Sequence, residues 1–371
     1  MLEVRERFSM DVANLESYSS YVREVDGECV FVRVWNNFLF SGSRSGEVTC
    51  WDFSSGVELW RSVFEGPCSD SDCYDEVFFL TESDNVHAIR MHSGEVAWSV
   101  KLEGSSDFVR ISNGFVWVTT SVYNFEIQDY SEGVVWQIDF EGRVRNKWET
   151  FGRAWSLSDQ EGKLVLGLSR PRSGYAIVSE NGIDYPELEK PQPVTTGNGG
   201  GGVPVVLGHS NGSVSEIVDH LVKTVSQVGS SVRAIDYCGG WVAGMDSGSV
   251  SSSEDFGSWS INLGGIIDVL SFGPSLVAGR GVWIPSWRDG ESAIFLINPK
   301  GGGIELDISH HSRIVSAFSG EEVICFGDAD GCVFVIEGEV LRRRFAQPME
   351  EVSDEDRRSE LRRKIRGLRG S

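Results

Sequence analysis

The chain has 371 residues, 40% of them hydrophobic, with 43 Gly and 12 Trp against 10 Pro, a composition that suits short strands and tight turns around a packed interior. The formal net charge is −22; residues 342–371 hold ten basic and six acidic side chains (+4), which leaves −26 on the rest and disfavours general binding to nucleic-acid phosphates except through that terminal stretch. No apolar run approaches the ~18 residues of a membrane span, and seven Cys behind a charged N-terminus without a secretory leader point to reduced thiols in the cytoplasm.

In chain order, residues 1–24 read as an N-terminal extension. From 25 to 347 one unit recurs: an apolar strand, a tight turn ending in a small residue, and a second apolar strand. FLFSGSRSGEVTCW turns at Gly46 and FFLTESDNVHAI at Asn85. Degenerate copies follow at Gly133, between FVWVTTS and VVWQIDF, and at Gly174, between KLVLGLS and YAIVSE. VVLGHSNGSVSEI turns at Gly212 and WVAGMDSGSVSS at Gly248; SLVAGRG and SAIFLIN flank Gly290, and VICFGDADGCVFVI turns at Gly331. Asn-Gly, Asp-Gly and Ser-Gly supply the positive φ that a tight hairpin requires. The steps between these positions run from 36 to 48 residues, the length of a four-stranded blade of about 40–45 residues.

Inner strands precede the hairpins, as in CVFVRV, FVRIS, RAWSLS, VRAIDYC, IIDVLSF and RIVSAFS. More polar outer strands follow, as in VELWRSVF, VAWSVKL, SWSINL and VLRRRF, the character of sheet edges. The expectation is an all-β fold: a single β-propeller of eight four-stranded blades, with seven as the alternative count, and a short C-terminal helix.

FLFSGSRSGEVTCWDFSSG, with Trp51-Asp52, resembles the second half of a WD repeat. HHSRIVSAFSGEEVICFGDADGCVFVIEGE resembles a nearly whole one, with His311 at the family's His position and Asp330 as its internal partner. CWDFSSGVELW and AIRMHSGEVAW resemble the quinoprotein-type (PQQ-like) repeat, in which a Gly lies four residues before a Trp that docks between blades. The resemblance implies docking roles for Trp60 after Gly56 and for Trp98 after Gly94; the third blade departs, with Trp148 six residues after Gly142. It concerns the repeat, and no quinone or other cofactor is expected.

SDSDCYDE places Asp70, Asp72 and Asp75 in an apparent inter-blade loop, a weak hard-cation candidate without the glycine and terminal Glu of a calcium loop. Cys68 and Cys73 flank it but lack a second ligand pair for zinc. No Ser stands in a G-x-S-x-G elbow, so no catalytic residue is assigned. Were the chain an enzyme or small-ligand binder, inner-strand Arg110, Asp236 and Asp268 would be the channel candidates.

SVYNFEIQDYSEG (121–133) and GVWIPSWRDG (281–290) read as lengthened turns on one face, joined there by segments 65–76 and 186–204. Tyr123, Trp283, Trp287 and Arg288 carry the residue types of binding hot spots. The charged tail 348–371, with Ser353 as a helix cap and an apolar stripe at Leu361, Ile365 and Leu368, reads as a short helix. The expectation is a monomeric, non-enzymatic scaffold that offers a loop-rich face to a protein partner.

Overall fold

The computed structural model describes residues 14–346, apart from Glu189 and Ala278; the tail 348–371, with its helix reading and nucleic-acid reading, lies outside the described residues. Eight antiparallel sheets of four strands follow one another around a ring. Blades 1 to 7 span residues 29–63, 68–101, 105–150, 154–184, 194–227, 232–262 and 271–310. Each runs from an inner strand at the channel to an outer strand at the rim. The count is eight, not seven.

Blade 8 breaks the sequential order. Its inner three strands are Ile314–Ser319, Val323–Asp328 and Cys332–Glu337, and its outer strand is Tyr21–Glu24. Tyr21 lies opposite Val335 and Glu24 opposite Cys332. The ring therefore begins at Tyr21, inside the segment set apart as an extension. VLRRRF, expected as an outer strand, falls in helix α2 (Gly338–Ala346) instead. The physical reason is that its place in the sheet is filled by the N-terminal strand. Helix α2 packs beside the short helix α1 (Leu15–Tyr18), where Leu15 and Leu341 are fully buried with Trp283, Phe334 and Ile336.

Other boundaries shift too. Cys68–Tyr74 is the inner strand of blade 2 and Val194–Gly200 that of blade 5, so the supposed joining loops 65–76 and 186–204 are largely strand. Both sequences lack the apolar run that marks most strands, because their carboxylates, hydroxyls and amides bond to the next inner strand. Gly133 is not a turn residue: it sits within the strand Asp129–Ile138, opposite Ser121 and Thr150. In blade 7 the strand Arg280–Arg288 absorbs most of the supposed insertion, leaving only Asp289 and Gly290 between strands.

The cores lie between blades, and a recurring joint fixes their spacing. Trp60 of blade 1 donates its indole N–H to Met91 O of blade 2 at 2.6 Å and lies against Gly94, where a Cβ would meet the ring at 2.7 Å. Trp98 repeats this with Phe140 O (2.8 Å) and Gly142. Trp259, which the repeat reading passed over, does so with Pro299 O (2.6 Å) and Gly302. At the closing seam Arg23 takes the same place, donating to Gly56 O at 2.5 Å. Trp148 instead stacks on Trp117 at 5.6 Å. Trp51 is buried between blades 8 and 1 with Cys29, Leu39 and Cys325. Glycine is required in these turns both for its positive φ and because the incoming ring occupies the space of a side chain.

Two outcomes test this architecture. Removing residues 1–24 opens the edge of Cys332–Glu337 and should lower stability by several kcal/mol, with ~2–5 kcal/mol from Leu15 alone; an unchanged thermal melt would show that the ring closes without them. Trp60→Ala, Trp98→Ala and Trp259→Ala should each cost about 3–5 kcal/mol, whereas denaturant midpoints near that of the parent chain would mean that these rings do not hold neighbouring blades together.

Candidate functional site

Around the channel, the groups that looked chemical are engaged in holding blades together. Asp70 accepts Val109 N–H at 3.1 Å and Arg110 at 2.5 Å, both from blade 3. Asp72 accepts Ile111 N–H at 2.9 Å and faces Arg33 of blade 1 at 3.4 Å. Asp75 lies apart, in the turn after that strand. The three do not converge as cation ligands: the first two bridge three successive inner strands. Asp236 acts likewise, accepting Asn198 of blade 5 (2.8 Å) and the Ser271 hydroxyl (3.0 Å) and Phe272 N–H (2.9 Å) of blade 7. Asp268 binds Arg233 at 3.0 Å and Arg313. Arg110, Asp236 and Asp268 are thus structural links.

The Cys68 thiol, donor-poor and buried, is pushed up to about 12 by desolvation, and burial raises Cys73 as well; neither is a ready thiolate. All seven cysteines are free thiols.

The WD-like histidine contact is shifted from its expected residues. His310 is buried and meets Asp328 at 3.0 Å, while Asp328 also accepts the backbone N–H groups of Asp330 and Cys332. His311 is exposed and 3.8 Å from an equally exposed Asp330. Strand alternation explains the correction: in Ile304–His310 the side chain at 310 faces inward, and its successor points to solvent. The cluster His311, Asp328 and Asp330 does lie close together, but the Asp328 oxygens are already occupied by these bonds.

The proposed anchors part company. Trp283 is 0% exposed, with its indole N–H on Pro274 O at 2.9 Å; it belongs to the core beneath the two helices and cannot anchor a partner. Trp287 is half-buried, and its backbone pairs with Ile266. Arg288 is exposed beside Asp289 at 3.2 Å.

Tyr123 stands in a different setting. Strands Phe115–Asn124 and Asp129–Ile138 run on beyond their neighbours in blade 3 as a two-stranded ribbon. Asn124 shapes its tip by accepting Glu126 N–H at 2.8 Å, and Tyr123 pairs across the ribbon with Tyr130, a favourable cross-strand aromatic pair. The Tyr123 ring meets both Phe125 and Tyr130 edge-to-face at 5.2 Å. Phe125 is 85% exposed and Ile127 60%. Tyr130 in turn meets Trp155 of blade 4 at 6.3 Å.

Between these two rings lies Arg153. Its guanidinium sits 4.7 Å from the Tyr130 centroid and 4.6 Å from that of Trp155. It donates to the Tyr130 hydroxyl at 2.7 Å and pairs with Asp107 at 2.7 Å. Burial raises the Asp107 carboxyl to about 6, against the opposing pull of Arg153. At the foot of the ribbon a cavity of about 400 Å³ is lined by Glu28, Arg44, Ser69, Asp107, Tyr130 and Arg153. Ribbon, rings and cavity form one continuous surface at the channel mouth. Elsewhere exposed aliphatic side chains stand on outer strands, as Leu59 and Val63 in blade 1 and Leu221 and Val225 in blade 5, without exposed aromatic rings among them.

The sequence pointed to the ribbon through Tyr123 but missed Phe125, Tyr130, Arg153 and Trp155 as partners. The run YNFEIQDY was itself a signal, with three aromatic residues in eight. Arg153-Ala-Trp155 was hidden in an ordinary inner strand.

The model for outer membrane protein assembly factor BamB matches residues 22–123, under half of the chain. No curated protein sequence matches. Among solved structures, BamB from Moraxella catarrhalis is 14% identical with a TM-score of 0.64, covering 86% of this chain and 99% of that one. Sqt1 from Saccharomyces cerevisiae is 11% identical with a TM-score of 0.67, covering 88% and 99%. A computationally designed protein, Ika8, is 15% identical with a TM-score of 0.61, covering 85% and 98%. At such identities these likenesses concern the fold alone. With its eight four-stranded blades and its Gly–Trp blade joints, this chain is an eight-bladed β-propeller, similar over residues 22–123 to the BamB model.

Proposed function

We propose that this chain is a non-enzymatic propeller scaffold that binds a protein partner at the channel mouth of blades 3 and 4. The observation that carries this reading is the exposed aromatic ribbon Tyr123–Phe125–Ile127 beside Trp155. Contiguous exposed apolar surface on an otherwise acidic body marks interaction sites, and tyrosine, tryptophan and arginine dominate the energetics of such sites. Nothing in the ring's closure requires the ribbon, whereas the inner-strand carboxylates of Asp70, Asp72 and Asp236 are used up between blades. Free cysteines suit a reducing compartment such as the cytoplasm, and among the described residues no helix is long and apolar enough to cross a membrane. In blade 7, Trp287 and Arg288 mark a weaker second contact across the channel; their rings and charges are not gathered into a patch.

The double variant Tyr123→Ala, Phe125→Ala tests the reading. Both side chains project from a ribbon outside the blade cores, so the melting temperature should stay within a few degrees of the parent. Partners recovered with the tagged parent from its own cells should be lost from the variant in a quantitative comparison. Unchanged recovery, or a large fall in melting temperature, overturns the interface at this ribbon.

A further inference from the structure

The ribbon and the cavity at its foot share a charge asymmetry. Between residues 122 and 133 stand Glu126, Asp129 and Glu132, with no Lys or Arg. The two cations lining the cavity are already engaged, Arg44 with Glu28 at 2.9 Å and Arg153 with Asp107 at 2.7 Å. That pairing uses only one oxygen of Asp107. The second, Oδ2, makes no ideal hydrogen bond; the neutral Ser121 hydroxyl is the side-chain donor beside this carboxyl, which is only 7% exposed. A buried carboxylate oxygen in this state has an outstanding demand for a donor, which a charged donor meets best. Asp107 is one of the residues that line the cavity.

The surrounding rings narrow the choice of donor. Tyr123 and Phe125 are exposed rings, and the faces of aromatic rings attract guanidinium and ammonium groups. The chain already makes this contact internally, with Arg153 between Tyr130 and Trp155. Phe125 and Ile127 at the tip demand apolar cover as well, which a small free cation does not supply. A net charge of −22 repels nucleic acid and anionic lipid and steers a basic chain inward.

We infer that the channel mouth of blades 3 and 4 takes a basic segment of a partner protein, placing one Lys or Arg side chain in the cavity at Asp107 and an adjacent apolar side chain on Phe125 and Ile127. This rests on the interaction reading above and specifies its partner. The cavity of about 400 Å³ holds one such long side chain. Electrostatic complementarity of this kind sets partner choice and association rate.

The test is selection of a random-peptide phage library on the full chain, followed by anisotropy titration of the enriched peptides. Enriched peptides should carry Lys or Arg next to an aromatic or aliphatic residue. Their affinity should fall by about tenfold or more in Asp107→Asn and in Phe125→Ala. It should also fall in the double variant Glu126→Gln, Glu132→Gln, whose exposed side chains spare the fold should Asp107→Asn disturb it. Asp75→Asn, an exposed acid in a turn on the opposite face, should leave affinity unchanged; an equal loss there would reduce the effect to bulk charge and overturn the inference. Peptides without Lys or Arg that are lost in Phe125→Ala overturn the basic-segment inference and leave the interaction reading standing. Peptides indifferent to Phe125 overturn both, and a library yielding no enriched peptide overturns the inference.

Discussion

The pairing of Tyr21–Glu24 with Cys332–Glu337 joins the two ends of the ring, and the seven blades between them depend on it. Each blade buries its faces only against its neighbours, as in other repeat architectures. Without closure the last blade would present an open strand edge and an uncovered apolar face. Closure is costly in chain entropy because the paired segments are far apart in sequence, although that cost grows slowly with loop length. Several contacts offset it together: four residues of strand pairing, Arg23 on Gly56, and the burial of Leu15 and Leu341 under the two helices. Helix α2 reinforces the same seam, with Arg344 donating to Ser17 O at 2.9 Å.

Within that ring, polar groups are used for alignment. Inner strands crowd around the channel, where backbone N–H groups of one blade approach the next without a sheet partner. Aspartates at 70, 72 and 236 accept those groups. A carboxylate with two acceptor oxygens can tie two neighbours at once, which a hydroxyl does less well. Such residues look catalytic in a list of acidic positions in a channel. Their partners show that they tie neighbouring inner strands together, in blades 1 to 3 and in blades 5 to 7.

The ribbon of blade 3 is the exception to this economy. Its rings are stabilised by one another and by Arg153, yet Phe125 and Ile127 remain open to solvent. In the binding role proposed above, an aromatic ribbon with acidic neighbours, standing over a cavity lined by the buried Asp107 carboxyl, would gather the contacts in one sector of the ring.

Local pattern and spacing were enough to read eight blades, most of the glycine turns, and the Gly–Trp pairs at 56/60 and 94/98, because each arises from contacts within one repeat or with the next. Tyr123 was legible for the same reason: it lies in a local run too long and too aromatic for a hairpin turn. The tertiary structure alone decided the rest. It assigned Tyr21–Glu24 to the last blade and so turned VLRRRF into helix α2. It drew Trp283 into the core, since the strand Arg280–Arg288 is covered on both faces from Gly281 to Ser286. It moved the histidine contact from His311 and Asp330 to His310 and Asp328; the one-position shift of the histidine is decisive because side chains alternate along the strand. It also gathered Asp107, Tyr130, Arg153 and Trp155 from two blades into one site. Strand periodicity constrains which residues share a face, but not which blades meet at the channel mouth; that depends on the curvature of the closed ring.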